Sequence, residues 1–246
     1  ASANWTRRPD AKAYRHPSVT DRIRRNYKQR QAMHLLKSSL RKSASSDVPP
    51  LRSAVAYFLH FEPEATSLLG GGVTNWLQIR TILDLRSQLP RDIPLLVQEH
   101  VSQFLPANRS SYMGRSSLLY RTLAQTPGVT LLNPGTIQRQ DLGHMGGVAT
   151  LTGSVGLEAS MRGRPVLCLG SAWYRWATGL TVASVPELLE SFSEADEMRA
   201  QRNRQVLSAY IREFTYPPPV PTSSHESPAA KTDLLSAVGR QLAGDS

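Results

Sequence analysis

The chain has 246 residues, 40% of them hydrophobic and 20% charged, enough for one large or two small globular domains with a real core. Its longest apolar runs, such as Ile93–Val97 and Pro165–Leu169, fall far short of the ~20 residues a membrane-crossing helix needs, and the first ten residues carry no signal-peptide stretch. The net charge of +10 sits almost wholly in residues 1–52, so the remainder is neutral and nucleic acid is not expected as a partner.

Residues 1–17 read as an irregular arm. A helix is expected to start at Ser18 or Thr20, with Val19, Ile23, Tyr27, Met33, Leu36 and Leu40 recurring at three- and four-residue steps among arginines. SASSDVPP at 43–50 breaks it and marks the best domain boundary. From there short apolar runs alternate with amphipathic segments, the pattern of a parallel sheet. The expected strands are Ala54–Phe61, Ile93–Gln98, Val129–Leu132, Val148–Leu151 and Pro165–Leu169. Helices are expected over Trp76–Leu89, Ser116–Gln125, Ile137–Gly143, the start of the segment after Thr152, Pro186–Phe192 and 194–214. The tail at 216–228 has five prolines and reads as a linker, with a last helix near 231–242. The division is a basic arm over 1–50, a Rossmann-like α/β domain with helices on both faces of a parallel sheet over 51–214, and a Pro-rich linker with a terminal helix over 215–246.

Three constellations could carry chemistry. HFEPE at 60–64 places His60, Glu62 and Glu64 at the end of a buried strand, and QEH at 98–100 places Glu99 and His100 at the end of another. In open parallel sheets ligands sit beyond the carboxyl ends of strands, so these groups are well placed for a site. Zinc is the competing chemistry, but no HExxH or paired-cysteine pattern supports it, and no metal is expected. Cys168, the one cysteine, sits in PVLCLG and reads as core. The third constellation, TGSVGLEA at 152–159, is a turn opening into a helix. Thr152, Gly153, Ser154, Val155 and Gly156 would offer backbone N–H groups to a phosphate at the positive helix end, and Glu158 would meet ribose hydroxyls. It is neither a P-loop nor a GxGxxG fingerprint. The aromatics of WYRW at 173–176 are secondary candidates for stacking on a base or a sugar.

HFEPEAT at 60–66, VQEH and SQF within 97–104, LTGSVGLEASMRGRPVLCLG at 151–170 and the AWYR that follows resemble the capsular polysaccharide biosynthesis proteins, which include the bacterial Kdo transferases of the capsule linker. The resemblance spans roughly residues 51–192. It implies a glycosyltransferase of the two-domain GT-B kind, of which this chain would be the C-terminal, donor-binding half. It further implies a CMP- or UDP-linked sugar nucleotide as donor, no cofactor, and a glycan or glycolipid acceptor. By the same resemblance His100 corresponds to the family's His-Pro pair, though Val101 stands where proline is expected. Glu62 or Glu64 would be the general base, and His60 and Glu99 would lie near the donor. The expected location is cytoplasmic, at the inner membrane face if residues 1–42 dock on anionic lipid. A sugar-nucleotide epimerase and a non-catalytic scaffold module of a capsule assembly complex are the alternatives. The chain alone is expected to bind donor without transferring sugar, because half a cleft cannot align two reactants.

Overall fold

The computed structural model describes residues 18–62, 78–105, 114–177, 179–193 and 196–215. Glu64, the GGG at 70–72 and the Pro-rich tail lie outside the described residues. Five strands, β1 (Val55–Phe58), β2 (Leu95–Gln98), β3 (Val129–Leu132), β4 (Gly147–Thr150) and β5 (Val166–Cys168), form one sheet in the order β3-β2-β1-β4-β5. Every pairing is parallel. The helices are α1 (Val19–Ser43), α2 (Gln78–Gln88), α3 (Ser117–Gln125), α4 (Ser154–Met161), α5 (Val185–Glu190) and α6 (Asp196–Thr215). Three-residue to six-residue 3-10 turns at Leu51–Ser53, Arg139–His144 and Trp173–Trp176 lie between them.

Period-two alternation sorts the strand residues onto two buried faces. Val55, Tyr57, Leu95, Val97 and Leu131 join the helices α1, α2, α3 and α5 in one cluster, while Ala54, Ala56, Leu96, Leu132 and Val148 pack with Ile137 and Ala159 on the other. The sheet is thus covered on both sides, as the near-continuous apolar strands predict. The first apolar run extends beyond β1 itself, since Leu59 and His60 stay buried past its last ladder residue.

Strands β1 to β3 progress outward in one direction, after which the chain returns to lay β4 on the other side of β1. The order reverses between β1 and β4, which opens a crevice at their carboxyl ends.

Helix α1 begins with a capping box, the Ser18 hydroxyl accepting the Asp21 N–H while the Asp21 carboxylate accepts the Ser18 N–H. Its apolar residues do not form a single stripe. Leu36 and Leu40 are buried in the sheet core, whereas Val19, Ile23 and Tyr27 are exposed. At about 100° per residue, Val19 lies roughly a quarter-turn or more around the helix from Leu36. The last turns of α1 pack on α3, and the Ser45 N–H donates to the Leu131 carbonyl at 2.8 Å, tying the segment after α1 to β3.

Leu40→Ala is therefore expected to cost about 2–5 kcal/mol of stability in chemical denaturation, while Leu35→Ala, at an exposed position of the same helix, stays within about 0.5 kcal/mol. Equal effects would show that α1 is not part of the folded core.

Candidate functional site

A cavity of about 880 Å³ opens at the carboxyl ends of β1, β2 and β4, where the strand order reverses. His60, His100, Thr152, Gly153, Ser154 and Glu158 line it, so the strand ends singled out in the sequence converge on one space.

His60 is 8% exposed and bridges β1 to β4: its Nε2 lies 3.3 Å from the Thr150 hydroxyl and accepts the Thr152 N–H at 3.3 Å. Accepting at Nε2 puts the proton of the neutral ring on Nδ1. Burial, with the nearby His100 and Arg115 adding to it, pushes the pKa of His60 down to about 4. The ring is therefore neutral at physiological pH. Nδ1–H has no protein partner among the described residues.

Two of the N–H groups expected to face a phosphate are already engaged. Besides Thr152, Gly153 donates its N–H to the Thr150 hydroxyl at 3.1 Å. The open donors lie one step further on. Helix α4 has Gly153 at its N-cap with no side-chain cap, and among the described residues the N–H groups of Ser154 and Val155 have no protein acceptor. Both residues line the cavity. The glycines serve close packing rather than a special turn. Gly153 has φ −70° and ψ 144°, open to any residue, but a Cβ there would meet the Thr150 hydroxyl at 2.9 Å. At Gly156 a Cβ would collide with the Tyr174 hydroxyl and lie 2.8 Å from Thr150 Cγ2, so α4 can approach β4 only with glycine at this position.

Glu158, one turn into α4, accepts from Arg139 Nε at 2.7 Å on Oε2. Its Oε1 has no partner among the described residues, and Glu158 lines the cavity. Gln98 pins the wall on which Arg139 sits: its amide accepts the Ile137 N–H at 2.5 Å and donates to the Ile137 carbonyl at 3.1 Å.

Behind the cavity lies a residue that the sequence reading missed. The Arg115 side chain is fully buried and holds Glu99 with two hydrogen bonds, Nε to Oε2 at 2.8 Å and Nη2 to Oε1 at 3.0 Å. It also reaches Glu62 Oε2 at 2.8 Å and the His60 carbonyl at 2.6 Å. Tyr120 donates to Glu99 Oε2 at 2.7 Å, and the His100 N–H donates to Oε1 at 2.7 Å. Burial alone would lower the pKa of Arg115, but the Glu99 carboxylate, joined by Glu62 and Tyr120, more than offsets it, so the guanidinium stays charged. A signal for this residue existed. Arg115 immediately precedes the N-cap Ser116 of α3, where a cation opposes the helix dipole and needs a partner elsewhere.

This network redefines the carboxylates nominated at the strand ends. Glu62 does not line the cavity, and both its oxygens are bonded, one to Arg115 and the other to Gln78 Nε2. Glu99 borders the cavity but directs its oxygens to Arg115, Tyr120 and the backbone. His100 accepts the Ser102 N–H on Nδ1 at 3.1 Å, and its ring lies against Phe61, centroids 6.1 Å apart. Val101, in the place of the resemblance's proline, is exposed. Cys168 is buried, its thiol donating to the Leu151 carbonyl at 3.2 Å. Among the described residues no group of three or more His, Cys, Asp or Glu side chains is gathered as a metal site.

Two outcomes follow from these contacts. Arg115→Met leaves the buried Glu99 without its counter-ion and is expected to cost about 3–5 kcal/mol in chemical denaturation; a loss below about 1 kcal/mol would contradict the assignment. His60 binds a proton less readily folded than unfolded, so stability is expected to fall as pH drops from about 6.5 towards 4 and to lose nothing further from this group below that. The loss amounts to about 3 kcal/mol at most, and His60→Gln should remove this part of the pH dependence measured by denaturant titration.

The model of the capsule polysaccharide biosynthesis protein family matches residues 116–216. Among curated proteins no relative matches the chain. Two solved structures of KpsC from Thermosulfurimonas dismutans are similar. The beta Kdo 2,7 transferase is 16% identical, with a TM-score of 0.39, over 69% of this chain and 55% of its own. The beta Kdo 2,4 transferase is 15% identical, with a TM-score of 0.37, over 73% of this chain and 56% of its own. The chain thus spans about half the length of the solved structures it matches. Residues 116–216 hold α3 to α6 and the cavity wall built on α4; of the motifs that suggested a capsule polysaccharide biosynthesis resemblance, LTGSVGLEASMRGRPVLCLG and AWYR lie within this match, whereas HFEPEAT, VQEH and SQF precede it.

Proposed function

We propose that the cavity binds the nucleoside-phosphate part of a CMP- or UDP-linked sugar. In this reading the chain is the donor-binding half of a GT-B-type glycosyltransferase of capsular or other surface polysaccharide, transferring a sugar such as Kdo to a glycan or glycolipid. The observation that carries it is the uncapped start of α4, where the N–H groups of Ser154 and Val155 open into the cavity at the reversal of strand order. The partial positive charge of a helix N-terminus attracts a phosphate and stabilises the charge that grows on it as the sugar leaves. The neutral His60, with its donor at Nδ1, and the open Oε1 of Glu158 are the proposed partners for phosphate and ribose respectively.

No resident metal is required by this arrangement, since the helix end supplies the positive field. Glu62 is assigned to holding Arg115, which leaves Glu64 as the nominee for general base. Transfer itself belongs to the complete two-domain enzyme. Cytoplasmic placement is proposed because donor nucleotides are made there, and the basic residues of 1–42 would favour an anionic membrane face by about 1 kcal/mol each near the surface.

The test is calorimetry of the whole chain with CMP and with UDP, with and without EDTA. Ser154 is the first residue of α4, where proline is tolerated because the first N–H has no helical partner, and Gly153 already has the extended backbone that a following proline demands. Ser154→Pro is expected to keep the fold and weaken nucleotide binding roughly tenfold or more, the worth of one hydrogen bond to a charged group. Ser154→Ala, which keeps the N–H, should bind within a few-fold of the parent chain. Binding that ignores the proline, or that vanishes with EDTA, would contradict the reading.

A further inference from the structure

The 3-10 turn Trp173–Trp176 follows β5 and holds two exposed indoles. Trp173 lines the cavity and is 53% exposed; Trp176 is 68% exposed and lies beyond the cavity wall. In a 3-10 helix, residues three apart eclipse one another, so the two indoles project from the same edge of the turn and extend the cavity mouth outward. Large aromatic surface left in water at the rim of a pocket is a binding feature that the core does not require.

The turn is held rigidly from behind. Tyr174, fully buried between the two tryptophans in sequence, donates its hydroxyl to the Gly153 carbonyl at 2.7 Å, which ties the platform to the residue that starts α4. Its ring meets Trp173 edge-on, with centroids 5.7 Å apart and planes at 88°. Tyr210 of α6 lies against Trp173 at 6.4 Å and donates its hydroxyl to the Trp173 carbonyl at 3.3 Å. Arg175, in the same turn, is bonded to the Gly170 carbonyl at 3.0 Å and remains exposed.

We propose that Trp173 and Trp176 form a stacking platform for a saccharide ring at the mouth of the nucleotide cavity, with Arg175 favouring an acidic sugar. The C–H face of a pyranose carries partial positive charge and lies well on the negative face of an indole. A pre-set aromatic surface loses little side-chain freedom on binding. A nucleobase is the weaker fit, because Trp176 lies outside the cavity proposed to hold the nucleotide. The inference rests on that reading of the cavity for the direction in which the glycan would run.

The experiment titrates the whole chain with a chondroitin hexasaccharide, maltohexaose, CMP and phosphatidylglycerol vesicles, reading heat and indole fluorescence. At least one oligosaccharide is expected to bind, the acidic one more tightly. Trp176→Ala should weaken that binding about tenfold, and Trp176→Phe should restore most of it, with CMP affinity and melting temperature unchanged in both. Absence of binding by either oligosaccharide, or equal binding by Trp176→Ala, overturns the proposal. So does a loss of CMP affinity in Trp176→Ala, which would assign the platform to a nucleobase, or vesicle binding that replaces saccharide binding. If saccharide binds as expected while the parent chain ignores CMP, the nucleotide reading fails and the platform stands.

Discussion

A single buried cation organises the carboxyl end of this sheet. The guanidinium of Arg115 sits at the entrance to α3 and reaches the chain leaving β1 through the His60 carbonyl and Glu62, and the chain leaving β2 through Glu99. Nothing in a parallel ladder dictates where the chain goes once the last strand residue is paired. Here the direction is set by charge: Glu99 must meet Arg115 or be buried alone, and that constraint also holds Tyr120 and the His100 N–H in place. The two histidines lining the cavity are carried on backbone that this cluster fixes.

The cavity then divides into a closed side and an open side. On the closed side three donors have protein acceptors: Thr152 N–H on His60, Gly153 N–H on Thr150, and the Tyr174 hydroxyl on the Gly153 carbonyl. These bonds press the turn before α4 against β4 closely enough that Gly153 and Gly156 have no room for a side chain. On the open side the first two N–H groups of α4 are left to solvent or ligand. A helix start that could be capped by a serine or aspartate, as α1 and α3 are by Ser18 and Ser116, is instead begun at a glycine. The residues bearing these free donors line the space where the sheet reverses its order, and that combination carries the functional reading.

Much of the fold was legible because its signals are local. The runs AVAYF, PLLVQ, GVTLL, GVATL and PVLCL are buried on both faces, and a continuous apolar run bounded by turn residues is how such strands read. The turn and helix start at Thr152–Gly156 were legible for the same reason. Which of its N–H groups remain open was not, because the answer depends on His60, some ninety residues earlier in the chain. Arg115 was missed on similar grounds: its partners Glu99, Glu62 and His60 lie 16, 53 and 55 residues away in sequence. The reading of Glu62 as a cleft-facing base failed at this point, since spacing shows that a carboxylate follows a strand but not that a distant arginine claims it. The apolar pattern of α1 was over-read as one face, whereas only its final turns meet the core.

The central claim is that the open N–H groups at the start of α4 are the phosphate-binding element. Amide hydrogen exchange resolved to single residues, with and without saturating CMP or UDP, tests it most directly. The account predicts that the Ser154 and Val155 amides exchange rapidly in the free chain and become protected when nucleotide binds, while the Thr152 and Gly153 amides, already bonded within the protein, change little. Nucleotide binding that leaves Ser154 and Val155 unprotected, with protection arising elsewhere in the chain, would contradict it.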